Sequence, residues 1–100
     1  MSESPQQEDI FWDVFEGFIQ TANEKAEEID LGIISAALMH AAARFNAFYI
    51  AASSETRDDL KQDKDGSVND FGSEYKRLLA EHISDYIENY KVYLRSEDDK

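Results

Sequence analysis

A chain of 100 residues is one domain by length and long enough for a single core without staples. It has no cysteine, which excludes disulfides, thiolate nucleophiles and zinc–thiolate sites. Ten Lys and Arg against 22 Asp and Glu leave a net charge of −12, and such a surface repels nucleic acid and anionic membrane, whose binding needs clustered cations.

The charge is uneven. Residues 1–31 hold nine acids against Lys25 alone. Solubility is the plain reading of that surface, and a basic protein partner is the functional alternative. The opening MSESPQQEDIFW has no basic stretch followed by an apolar run, so no secretory signal and a cytoplasmic location are expected. No segment alternates with period two and no Asn-Gly turn occurs, so the chain reads as all-α.

The spacing predicts a first helix over about residues 5–28. Ser4 is placed as its N-cap, Pro5 suits the first helical position, and Gln7 completes a capping box. Phe11, Val14, Phe15, Phe18, Ile19 and Ala22 recur at three- and four-residue steps and form one apolar stripe. Trp12 is offset from the phenylalanine line, which marks it as a lip of the core or a contact with a partner. Gly17 costs this helix about 1 kcal/mol relative to alanine.

Asp30 is placed to cap a second helix over 31–53, with Ile29 and Ile34 as a hydrophobic staple. The connection is short, which implies antiparallel packing of helices one and two. The second helix, LGIISAALMHAAARFNAFYIAAS, is apolar around nearly its whole circumference, whereas a surface helix keeps a polar face. It is therefore expected between other helices. It is also long enough to span a bilayer, but Arg44 sits mid-run at a cost of about 3 kcal/mol on insertion scales, so no membrane span is expected.

Residues 54–68 read as a polar loop. Within it, Asp63, Asp65, Ser67 and Asn69 fall on liganding positions of a calcium loop over 61–72 when Gly66 takes the glycine slot. The opening carboxylate is replaced by Lys61 and the closing glutamate by Gly72. An Asp-Gly turn before a helix cap is the simpler reading, with at most weak calcium association. A third helix is expected over about 69–94, carrying an aromatic stripe that includes Tyr75, Tyr86, Tyr90 and Tyr93. Residues 95–100 should fray.

His40 and His82 are the two imidazoles, in no arrangement that matches a metal or triad motif. Arg44, with His40 one turn before it and Asn46 nearby, is a candidate small-anion or carboxylate site. The competing reading is structural: a helix–helix ion pair that fixes register, or a stem lying on the surface. Trp12, Tyr86, Tyr90 and Tyr93 are interface candidates, since such rings bury a body and wet a polar tip.

The run SAALMHAAARFNAFYIAASS, with ANEKAEEIDLG before it and EYKRLLAEHISDYIENY after it, resembles a family of small bacterial helical proteins filed as a domain of unknown function. Ala42, Ala43, Arg44, Phe45, Asn46 and Ala47 match its central A-A-R-F-N-A-type segment. The resemblance covers about residues 10–93, apart from the acidic stretch 55–70, and implies a single helical domain without activity, cofactor or substrate. The expected architecture is a three-helix bundle with the Ala-rich second helix central, paired as a homodimer. The expected function is a non-catalytic interaction or assembly module, without cofactor or metal. Binding of a basic protein comes second, and a small-ligand role for His40, Arg44 and Asn46 third.

Overall fold

The computed structural model describes residues 4–94, with side chains from Gln6 onward. Its elements are α1 (Ser4–Lys25), α2 (Leu31–Ser53), α3 (Arg57–Glu88) and a one-turn α4 (Tyr90–Tyr93). Among the described residues there is no strand, and the fold class is all-α. The chain divides into two compact units, Met1–Tyr49 and Ile50–Lys100, so the division falls inside α2.

In the first unit, the capping box at Ser4 and Gln7 rests on a side chain outside the described residues. Helical hydrogen bonding outlasts α1: the Ala26 amide donates to the Ala22 carbonyl at 3.0 Å and the Ile29 amide to that of Lys25 at 2.9 Å. Asp30 then starts α2. Its carboxylate accepts from the Gly32 amide at 2.9 Å, which satisfies one of the orphan donors of a helix start. A Cβ on Gly32 would stand 3.0 Å from that carboxylate oxygen, so glycine leaves the cap room to close.

The expected antiparallel pairing of α1 with α2 does not form: α1 does not pack lengthwise on the Leu31–Tyr49 part of α2. The reason is local. Helical bonding through Ile29 leaves Asp30 as the one residue free to turn the chain, too little to fold one helix back along the other. Half-buried residues of this unit include Ala22, Ala26 and Ile34, next to the connection, while the Phe11 and Phe18 faces stay open.

The second unit corrects the polar loop expected over 54–68. α3 begins at Arg57 and runs unbroken through it. Thr56 is its N-cap, accepting from the Asp59 amide at 3.0 Å, and Asp58 and Asp59 sit at the positive end of the helix dipole. Gly66 lies within the helix without positive φ, where it costs about 1 kcal/mol relative to alanine. This also disposes of the calcium loop: a coordinating loop wraps its ligands round an ion, whereas Asp63, Asp65, Ser67 and Asn69 here lie on a continuous helix, each about 200° round from the one before. Half-buried Ile50, Ser54, Asp59 and Leu60 mark the corner between the end of α2 and the start of α3. There the Ser54 hydroxyl donates to the Ile50 carbonyl at 3.0 Å.

The third helix also ends earlier than its apolar pattern implies. Asn89, at φ −118° and ψ 36°, caps α3 and starts α4. Its amide side chain donates to the Asp85 carbonyl at 3.2 Å and to the Asp85 carboxylate at 2.9 Å. The tail 95–100 lies outside the described residues.

No described residue is buried. Phe15, Ile34, Ile50 and Leu60 are half-buried, while the exposed large apolar side chains of the long helices keep between 37% (Ile19) and 70% (Leu31, Ile87) of their surface accessible. A core residue ordinarily touches six to twelve neighbours; no described residue is enclosed in that way.

Replacing the α3 cap by Thr56→Ala should lower stability by about 1 kcal/mol, with Thr56→Ser retaining most of it. Urea unfolding followed by circular dichroism measures both.

Candidate functional site

His40 and Arg44 lie one turn apart on α2 and share a face. Asn46 stands two residues on, about 200° round the helix, so it does not join them. His40 and Arg44 are exposed and Asn46 is half-buried. Arg44 is the one formal charge on α2 and makes no ion pair among the described residues. No group of three or more metal-ligating side chains gathers among the described residues. The small-ligand reading thus has one shared face and no convergence of its three residues.

The apolar side chains dominate what α2 offers. Ile33, at 62%, lies on the side of His40 and Arg44, while Leu31, Phe45 and Tyr49, at 70%, 67% and 59%, take the opposite side. The alanines between them let another backbone approach closely. Two aromatic clusters accompany this helix. Trp12 stands edge-on to Phe11 at 4.8 Å and to Phe15 at 5.3 Å, the geometry favoured by ring quadrupoles. Phe45 and Phe48 meet at 5.7 Å. Trp12 remains 54% exposed, a ring held in place by its neighbours yet open outward.

The tyrosines behave differently from a single stripe. In a continuous helix, residues seven apart stand about 10 Å apart along the axis. Across the break at Asn89 the Tyr86 and Tyr93 rings meet at 4.8 Å. The Asp85 carboxylate near the Tyr93 phenol holds its pKa above the ordinary value. Tyr90, at 52%, faces outward. Sequence reasoning missed the break; Asn89, a good cap residue four places before the last tyrosine, was its signal. On the opposite flank of α3, Arg77 forks between Glu74 and Glu81, and its hydrogen bond holds Glu74 below the usual carboxylate range. Exposed pairs of this kind add little stability.

The Asp85 carboxylate disfavours the ionised form of the Tyr93 phenol. The folded pKa of the phenol is raised above 10.0, so its contribution is complete below the unfolded value and fades as pH rises through the folded one. The absorbance titration at 295 nm should show a late-ionising phenol that Asp85→Asn moves to lower pH.

The sequence from Phe11 to Ile87 matches the family described as "Protein of unknown function (DUF3144)". The matched span, 11–87, includes the acidic stretch 55–70 that the sequence resemblance left out. The NMR structure of the protein NB7890A from Shewanella sp. is similar in both sequence and fold. It is 33% identical, with a TM-score of 0.69, over 83% of this chain and 88% of that one. No curated protein matches. With more than three-quarters of its length matched, and a solved structure at this identity beside it, the chain belongs to the DUF3144 family of unknown function.

Proposed function

We propose that this chain is a non-catalytic assembly module whose helical bundle, with the Ala-rich α2 at its centre, is completed by a second copy of itself. The observation that supports this reading is α2: 23 residues, one formal charge, no buried side chain. Burying a large apolar side chain stabilises by about 1.5–3 kcal/mol. Six such side chains on α2 alone, contributed by each copy, exceed the roughly 4–15 kcal/mol that association costs. A small anion held by Arg44 and His40 would cover far less of this surface.

The same helix is long and apolar enough to cross a bilayer. Arg44 near its middle and acids on both flanks, Glu27, Glu28 and Asp30 before it and Asp58 and Asp59 after it, favour a protein environment over lipid. A second reading rests on α1, where Glu8, Asp9, Asp13 and Glu16 are exposed and make no ion pair among the described residues. That surface suits a basic protein partner, captured in a salt-dependent way.

Sedimentation equilibrium at tens of micromolar should return twice the chain mass, and Phe48→Glu should shift the population to monomer. A clean monomer of the unaltered chain contradicts the proposal. Flotation with neutral vesicles would favour the bilayer instead.

A further inference from the structure

We infer that α3 is a hinged helix: it opens at Asp65–Gly66–Ser67 into two shorter helices, 57–64 and 68–88, joined by a tight corner, and closes again into the continuous helix that the structure shows. The hinge lies within one helix of the second unit and stands whether or not the chain self-assembles.

The glycines carry the argument first. Gly66 and Gly72 both lie inside α3, and neither has positive φ. A Cβ built on either would meet nothing within 4 Å. Glycine serves where a chain needs positive φ or a close approach, and is otherwise the worst helix former short of proline. The continuous form of α3 makes no use of either one. Each is followed by serine, as Gly66–Ser67 and Gly72–Ser73, and Gly/Ser pairs are among the few places where helices kink sharply. The other residues between Lys64 and Glu74 are Asp65, Val68, Asn69, Asp70 and Phe71, all from the weaker half of the helix scale. The stretch EYKRLLAE that follows, residues 74–81, is built of strong helix formers, with Tyr75 the exception.

The same weak stretch also encodes a complete helix stop and start. Glycine in the left-handed conformation commonly follows the last turn of a helix, and Gly66 stands in that place for a helix over 57–64. Ser67, with Asp70 three residues later, is a capping box for the helix that resumes; its hydroxyl is placed to accept from the Asp70 amide. In the continuous form Ser67 and Asp70 make no side-chain hydrogen bond among the described residues. Opening at Gly66 thus exchanges a few helical backbone bonds for cap bonds, which confines it to one corner. Gly17 supplies the contrast. It too has open space round it, but Phe18, Ile19 and Gln20 follow it, and none of these starts a helix.

The 57–64 arm is joined to the end of α2 by the corner where Ile50, Ser54 and Leu60 are half-buried. Opening therefore re-aims the Phe71–Tyr75–Leu78 face against that corner without unfolding either arm. Hinges are a few residues that absorb such a change in φ and ψ.

Native-state amide exchange read by NMR measures the opening site by site. The Val68 and Asn69 amides, whose helical bonds cross the corner, should be protected at least tenfold less than those of Leu78 and Leu79. Gly66→Ala should suppress this opening more than tenfold, because alanine favours the helix about fivefold and also disfavours the left-handed corner. Gly72→Ala should change it by less than about twofold, because residue 72 is helical in both forms, and Gly17→Ala should leave it unchanged. All three substitutions favour helix, so the variants stay folded. Even protection along α3 overturns the hinge. So does a Gly66→Ala variant that opens as readily as the unaltered chain. Equal suppression by Gly66→Ala and Gly72→Ala overturns it too, since that marks general melting of a weak stretch.

Discussion

Apolar surface must leave water, and among the described residues none is fully buried. Helices form readily here, because caps at Asp30, Thr56 and Asn89 satisfy the orphan backbone groups and few residues oppose helical backbone. Yet isolated helices draw most of their stability in proteins from packing of an apolar face. Each unit carries such faces uncovered. The constraint on each unit is therefore the need for a surface beyond its own helices, and α2 feels it most, having almost no polar side to turn outward.

The charges are spread unevenly over the helices. Arg44 is alone on α2, the acids crowd α1, and three cations line the opening of α3. Hydrophobic burial is non-directional and by itself would let helices slide and invert. A few charges at defined steps of an apolar face choose among those arrangements, as seam and flanking charges do in coiled coils. The exposed Arg77 fork, by contrast, lies off that face and contributes solubility rather than register.

Much of the secondary structure was legible because helical periodicity is strong where apolar residues set it. The Asp30 cap and the alanine run mark α2; the phenylalanine line marks α1. The first third of α3 was not legible, because its face is cationic rather than apolar and Gly66 after Asp65 imitates a turn. The local signal that could have found it is Thr56 followed three residues later by Asp59, a capping pattern. The break at Asn89 was hidden by an aromatic pattern that runs across it. Of the candidate site, helical spacing alone pairs His40 with Arg44 and separates Asn46. The contacts of Trp12 with Phe11 and Phe15, and of Tyr93 with Tyr86, depend on rotamers and on the α4 turn, which spacing does not encode. How α1 and α2 are joined was misjudged because helical bonding outlasts α1 by several residues.

The most direct measurement is the midpoint of thermal unfolding across a hundredfold range of chain concentration. A protein whose apolar faces are covered by its own second copy is stable only as far as it is associated. The account predicts a midpoint that climbs steadily with concentration; a midpoint that stays fixed across the range would contradict it.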